Sequence, residues 1–372
     1  MKIALAIMNY YEHGVTRRDF KQLVLELQRR GHELSIYYHH SSSDMPFSSR
    51  LVKIKTRAFS TVGKLRSFGR QVRRQLKKHP VDCFITFSRV PGADIYYLGE
   101  HSCSDAIHRR YGFWRFFIPG YFRVRTLERQ LFLKSDTRIF ALTQLQIDRL
   151  CKSFGMSKDR FELLPPGIPP GFERPSEEAR AKTRRKIRER IGIGDDELMA
   201  LQLGPGFHSK GVDRTLAALG ALPDGELKKI RLVVGGSGSV ARMDSLARRL
   251  RIRDRVYFSN EREKETELLA AADLLIHPAR NAATDSVPLE ALSFGLPVIA
   301  SGDYGFADLI CANGGMALGT PFSCRELVRM LRLLIDTPEK LEEMRNAANA
   351  FDSRLLIRRI PRAADLIEEL AR

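Results

Sequence analysis

An α/β fold built as two tandem domains is what this sequence predicts, and three observations predict it. Strand-like apolar runs alternate with helix-period stretches through the first half of the chain. A stretch rich in proline and glycine, Leu163 to Gly171, then breaks every periodicity, and the same alternation resumes beyond it. The length of 372 residues suits two such domains at about 150 residues each.

In chain order, Ile3–Met8, Leu34–Tyr38, Cys83–Phe87 and Arg138–Thr143 read as strands, because they are short, apolar and rich in β-branched and aromatic residues. Between and after them, Arg17–Arg30, Lys64–Lys78, Tyr121–Leu133 and Gln144–Phe154 carry apolar residues at helical spacing. Strands alternating with helices imply a parallel sheet covered on both faces. Beyond the break, the charged stretch Ser176 to Arg190 reads as a helix. Met199–Leu203, Arg231–Val234, Val256–Ser259, Leu274–His277 and Val298–Ala300 form a second set of strands. The windows Arg325–Leu334, Glu339–Phe351 and Arg358–Leu370 read as helices, the last placed to return to the first domain. The expected domains are therefore residues 1–168 with 355–372 packing back, and residues 169–354.

Composition bounds the function. Hydrophobic residues make up 43% of the chain and charged residues 28%, which excludes collagen, coiled coil and wholesale disorder. Lys and Arg number 62 against 44 Asp and Glu, a net charge of +18 that favours an anionic partner. The five cysteines, Cys83, Cys103, Cys151, Cys311 and Cys324, are scattered, with no Cys-x-x-Cys, so neither a disulfide framework nor a zinc site is expected and a reducing compartment fits. The apolar start, Ile3 to Met8, is too short for a secretory signal. No run approaches the apolar length of a membrane span.

Several stretches carry chemistry. The first strand ends at Asn9 and leads through Gly14 and Val15 into a helix with Arg17, Arg18 and Asp19. In an open α/β sheet, ligands gather at such carboxyl ends, and glycine lets backbone approach a phosphate. Met199–Leu203 runs into Gly204-Pro205-Gly206-Phe207-His208-Ser209-Lys210-Gly211, a glycine-rich turn with one lysine, suited to a diphosphate though not a Walker loop. Thr284-Asp285-Ser286-Val287-Pro288-Leu289-Glu290 places capping residues and a proline at a helix start, with Glu290 in the first turn, where a carboxylate can accept both hydroxyls of a ribose. A rival signal, Gly236-Ser237-Gly238 with Glu261 beyond it, partly fits a dinucleotide fingerprint, but it sits in mid-domain and Glu261 follows Asn260 in a charged run.

One further stretch is amphiphilic. Between Arg109 and Lys134 seven cations, Arg109, Arg110, Arg115, Arg123, Arg125, Arg129 and Lys134, accompany the single acid Glu128, interleaved with Tyr111, Phe113, Trp114, Phe116, Phe117, Tyr121 and Phe122. Aromatic rings at headgroup depth beside cations that pair with phosphate are what an interfacial segment requires. A second cationic run without acids, Lys64, Arg66, Arg70, Arg73, Arg74, Lys77 and Lys78, lies upstream. Nucleic acid could use such charge, but no recognition motif accompanies it.

Taken in order, Arg18-Asp19-Phe20, Arg29-Arg30-Gly31-His32, Val90-Pro91-Gly92, Leu163-Leu164-Pro165-Pro166-Gly167-Ile168, Lys210-Gly211-Val212-Asp213-Arg214 and His277-Pro278 ahead of a Glu-bearing helix resemble the retaining glycosyltransferases of family 4. Within that family the likeness is to the branch that glucosylates the inner-core heptose of lipopolysaccharide. The resemblance implies a GT-B fold, two Rossmann-like domains facing across a cleft, and transfer of a hexose from a UDP-sugar to the lipopolysaccharide core. It further implies no metal or other cofactor, and a peripheral location on the cytoplasmic face of the inner membrane. By the same resemblance Lys210 holds the diphosphate, Glu290 the ribose, and Gly14 approaches from the first domain. Lys210, Glu100 and Asp19 are the catalytic candidates. Val15, His101, Gly204, Gly206, Asn260, Glu261, Asp285, Ser286 and Val287 join the substrate contacts, and the membrane-docking set is Arg109, Arg110, Trp114, Arg115, Phe116, Phe117, Tyr121, Arg123 and Arg125. The chain departs from the family pattern at four positions: Val15 for a second glycine, Ser209 for an arginine, Glu100 for an aspartate, and Ala282 for the first glutamate of the Glu-x7-Glu pair. Ala282 motivates the alternative of a catalytically degenerate relative that binds nucleotide or lipid core as a scaffold.

Overall fold

The computed structural model covers residues 1–372 and describes all of them except 11–14, 43, 46, 100, 101, 103, 105, 106, 108–110, 119, 134, 135, 260–262, 281–283 and 372, and the side chain of residue 115. The chain divides into two compact units, Met1–Pro166 with Arg358–Arg372, and Gly167–Ile357. The first junction falls inside the proline-rich break.

The first unit is built from β1 (Lys2–Tyr10), α1 (Val15–Arg29), β2 (Glu33–Ser41), β3 (Arg50–Lys53), α2 (Thr61–Lys78), β4 (Cys83–Thr86), β5 (Ile95–Leu98), α3 (Tyr121–Leu133), β6 (Arg138–Ala141), α4 (Gln144–Phe154) and β7 (Phe161–Leu163). Its seven strands are all parallel, in the order β3-β2-β1-β4-β5-β6-β7. Strands β3, β5 and β7 are additions to the sequence reading. Each has three or four residues, too few to establish a period. The expected strand Arg138–Thr143 stops at Ala141, because Thr143 caps the next helix: its Oγ1 accepts from Gln146 N at 3.2 Å while Gln146 Oε1 accepts from Thr143 N.

One face of this sheet is covered by α1, through Phe20, Leu23, Val24 and Leu27, and by the last helix of the chain. The opposite face is covered by α2, through Phe68 and Val72. Fully burying one such side chain is worth about 1.5–3 kcal/mol, so each helix is fixed mainly by its apolar stripe.

The second unit contains α5 (Glu177–Ile191), β8 (Leu198–Leu203), α6 (Val212–Leu219), α7 (Asp224–Leu227), β9 (Ile230–Gly235), α8 (Val240–Arg249), β10 (Val256–Phe258), α9 (Glu265–Ala271), β11 (Leu274–His277), α10 (Val287–Ser293), β12 (Val298–Ser301), α11 (Ala307–Ala312), β13 (Gly315–Leu318), α12 (Cys324–Asp336) and α13 (Pro338–Ala350). Its six strands are also parallel, ordered β10-β9-β8-β11-β12-β13. Strand order reverses between β8 and β11, which makes the carboxyl ends of those two strands the switch point where open sheets bind ligands.

The terminal helix, α14 (Arg359–Leu370), belongs to the first unit and packs on α1. Its apolar residues Ile360, Ala363, Ala364 and Ile367 join the core there, and Arg30 pairs with Asp365 at 2.8 Å. At its start Arg359 reaches Asp19 Oδ2 at 3.1 Å and donates to Pro165 O at 3.0 Å, while Tyr97 Oη donates to the same Asp19 oxygen at 2.7 Å. Burial and the Asp19 carboxylate push the Tyr97 phenol well above its usual range. Removing one partner of a buried ion pair costs about 3–5 kcal/mol. Arg359→Ala is therefore expected to lower the stability of the first unit by that amount in urea unfolding, with the double variant Asp19→Asn/Arg359→Met recovering part of the loss.

Candidate functional site

Three segments meet at the switch point of the second unit: the loop after β8, the end of β11 and the residues leading into α10. The loop after β8 is shaped by glycines. Gly204, Gly206 and Gly211 have φ of 115°, 77° and 76°, values that side-chain-bearing residues rarely adopt. Each also meets a neighbour closely. A Cβ on Gly204 would stand 2.8 Å from Lys210 Cε, and one on Gly211 would stand 2.2 Å from the Pro278 carbonyl oxygen. The loop is tied down by Gly206 N to Ser237 O at 2.7 Å, Gln202 Nε2 to Lys210 O at 2.8 Å, and Arg280 N to Ser209 O at 2.8 Å.

The Gly236-Ser237-Gly238 signal is accounted for by the same packing. A Cβ on Gly236 would lie 2.5 Å from Gly204 O, and one on Gly238 would lie 2.6 Å from the Phe207 ring. These glycines let the loop after β9 lie against the loop after β8.

The electrostatic centre is Lys210. Its Nζ donates to Asp285 Oδ2, and His277 Nε2 lies 3.2 Å from that oxygen. The other Asp285 oxygen accepts from Val287 N at 3.4 Å, and Tyr304 Oη donates to the Asp285 carbonyl at 2.8 Å. His277 is fully buried, and among the described residues neither of its ring nitrogens is aligned for a hydrogen bond, so the 3.2 Å approach to Asp285 is a close contact only. Burial opposes ionisation of Asp285, but His277 and Lys210 outweigh it and hold the carboxyl well below the usual carboxylate range.

Around this centre the frame is rigid. Arg280 forks onto Asp213 at 2.8 and 2.7 Å, and Arg214 donates to Pro278 O at 2.9 Å with its guanidinium 4.3 Å from the Phe322 ring centre. Glu290, 2% exposed, accepts from Ser286 Oγ at 2.7 Å.

The structure thus brings together Gly204, Gly206, Lys210, Asp285, Ser286, Val287 and Glu290. Val15 and Asp19 lie in the first unit on α1, where Asp19 is 4% exposed and taken up by Arg359 and Tyr97. Gly14, Glu100, His101, Arg109, Arg110, Asn260, Glu261 and Ala282 lie outside the described residues, as does the side chain of Arg115.

Of the amphiphilic stretch, Trp114 and Phe117 are each 70% exposed, and Phe113, Phe116, Phe122 and Arg123 are exposed as well. Tyr121 departs from its expected outward role: it is buried and packs edge-on against Phe116 and Phe122. The half-buried Arg125 lies with its guanidinium 5.5 Å from the Phe154 ring centre. Glu128 is also buried. It accepts from Ser102 Oγ at 2.9 Å and Ser104 N at 3.1 Å, with Arg89 Nε at 3.2 Å. A lone acid among arginines reads as a surface counter-charge, and nothing local in the sequence marks it as the anchor of α3.

Residues 18–172 match the model of Glycosyltransferase Family 4 and residues 183–351 that of glycosyl transferases group 1. Over 370 residues the chain is 32% identical to the lipopolysaccharide glucosyltransferase WaaG of Escherichia coli strain K12, covering 99% of this chain and 98% of that relative. The chain belongs to glycosyltransferase family 4 and has the GT-B fold. More particularly, it is a homologue of that lipopolysaccharide glucosyltransferase. The WaaG crystal structure superposes with a TM-score of 0.85 at 30% identity, covering 98% of this chain and 99% of that one. The Anabaena protein HepE, solved with UDP-glucose, shares the fold at a TM-score of 0.74 and 16% identity, over 99% of this chain and 98% of that one.

Gly211→Ala is expected to force the Lys210 loop off Pro278, at a cost of roughly 3 kcal/mol or more from strain and overlap together. Thermal unfolding would show the loss, whereas Gly225→Ala, where a Cβ meets nothing within 4 Å, is expected to change little.

Proposed function

We propose that this glycosyltransferase moves glucose from UDP-glucose to the inner core of lipopolysaccharide, with retention at the anomeric carbon. The observation that carries the reading is Lys210, a cation seated at the switch point of the second unit in a chain that aligns end to end with a lipopolysaccharide glucosyltransferase. Breaking the bond from the anomeric carbon to the donor phosphate leaves negative charge on the departing diphosphate. A cation already in place stabilises that charge more than it stabilises the ground state. Lys210 supplies it, the backbone near Ser286 and Val287 faces the same anion, and Glu290 receives the ribose hydroxyls. The acceptor oxygen bonds to the anomeric carbon on the face that UDP leaves, its proton passing to the departing phosphate oxygen, which retains the configuration.

The acceptor reading brings a membrane surface with it. Phe113, Trp114, Phe116, Phe117 and Phe122 form one exposed aromatic cluster, with Trp114 and Phe117 rings 5.8 Å apart and Phe116 and Phe122 stacked at 5.9 Å. Helix α2 packs against α3 and presents Arg66, Arg70, Arg74, Lys77 and Lys78, all exposed and without a hydrogen bond or ion pair among the described residues. Exposed rings beside unpaired cations suit an anionic bilayer, where each basic residue near the surface is worth about 1 kcal/mol. Among the described residues no helix is long and apolar enough to cross a membrane. The likeness to a lipopolysaccharide glucosyltransferase, together with this exposed aromatic and basic surface, supports a peripheral place on the cytoplasmic face of the inner membrane.

Lys210→Ala is expected to lower kcat by about 10²–10³-fold, the usual effect of deleting one transition-state donor. Release of UDP from UDP-glucose with a truncated core acceptor measures it, and an unchanged rate would remove Lys210 from the chemistry. Trp114→Ser/Phe117→Ser is expected to abolish sedimentation with vesicles containing phosphatidylglycerol while leaving turnover of a detergent-solubilised acceptor intact. Retained vesicle binding would separate the aromatic cluster from the membrane.

A further inference from the structure

The reading of Asp285 as a donor contact is at odds with its geometry. Its carboxylate is directed onto Lys210, with Val287 N at 3.4 Å and His277 Nε2 at 3.2 Å. A cation, a backbone amide and an imidazole converging on two oxygens are the surroundings that a phosphate group would need. We propose that Asp285 is an internal stand-in for the donor diphosphate: a positioning residue that competes with it for Lys210, so that donor binding proceeds by exchange of the Lys210 ion pair.

This rests on the assignment of Lys210 to the diphosphate made above and deepens it. An ammonium on a flexible stem changes partner readily, and the side chains of Lys210 and Asp285 are only 14% and 9% exposed, so little water screens the competition. The released carboxylate has a destination. The His277 ring is buried beside it with no hydrogen bond among the described residues, so a small rotation converts the 3.2 Å approach into a bond while Lys210 turns to phosphate. Asp285 and Lys210 then each keep a partner in both states, and His277 gains one. Tyr304, which holds the Asp285 carbonyl at 2.8 Å, keeps the backbone fixed during the exchange. A carboxylate left beside Lys210 would instead repel the incoming diphosphate.

The test turns on sign. Calorimetry with UDP on the full-length protein is expected to show Asp285→Asn binding UDP about tenfold tighter than the unaltered chain, within the usual range of coupling between sites, and Lys210→Ala binding it at least about tenfold more weakly. The donor KM of Asp285→Asn is expected to fall in parallel. A loss of UDP affinity in Asp285→Asn, or no change, overturns the exchange while a weakened Lys210→Ala leaves the diphosphate assignment standing. Unaltered UDP affinity in Lys210→Ala overturns both. A crystal structure of the unaltered protein with UDP decides the matter without relying on the fold of any variant. Lys210 Nζ on a phosphate oxygen with Asp285 turned to His277 is expected. Lys210 still bonded to Asp285 in that complex overturns the proposal.

Discussion

A single ammonium group held nearly out of water at the switch point of the second sheet sets the terms for its surroundings. Lys210 cannot sit at that depth without an anion, and Asp285 supplies one. It cannot reach the position unless Gly204 lacks a side chain, and the loop cannot close behind it unless Gly211 lies flat against Pro278. The Arg280–Asp213 fork and the Arg214 bond to Pro278 brace the same turn from the other side. Sheet order, glycine placement and charge pairing thus converge on one buried polar centre, set apart from another buried charge cluster of this unit, where Asp273 pairs with Arg184 and Arg188.

The first unit follows a different rule. Its charged residues are used chiefly as fasteners: Asp19 joins α1 to α14 through Arg359, and Glu128 joins α3 to Ser102, Ser104 and Arg89. What these fasteners leave outside is a surface of aromatic rings and unpaired cations. Burying Tyr121 and Glu128 fixes the segment from beneath, so that Trp114 and Phe117 stand clear of the core. Under the function proposed above, an enzyme with a phosphorylated lipid acceptor would gain from that division, since outward rings would bring it to the surface that holds its substrate.

Much of this architecture is legible from residues alone, and the exceptions have physical causes. The long strand Ile3–Met8 and helices such as Arg17–Arg30 declare themselves, because their periodicity extends over enough residues to be read. Strands of four residues such as Ile95–Leu98 and Gly315–Leu318 do not, since four residues are too few to establish a period, and the first is buried on both faces and lacks alternation. In the site, Lys210 and Glu290 are marked by their glycine-rich and helix-opening contexts. The partnership of Lys210 with Asp285 spans 75 residues of chain and exists only through the sheet order. The ambiguous Gly236-x-Gly238 pattern shows the reverse problem: a spacing that mimics nucleotide binding serves loop packing against Gly204 and Phe207. Asp19 is plausible from sequence as a reactive acid, and only its burial against Arg359 and Tyr97 reveals the fastening it performs.

Recognition of a diphosphate by one lysine is tested most directly by the affinity difference between UDP and uridine for the unaltered protein. If Lys210 and the amides beside it grip the phosphates, UDP binds at least about a hundredfold more tightly than uridine, two tenfold steps in Kd. Equal affinity for the two would mean that the phosphates contribute nothing and that the centre of the site lies elsewhere.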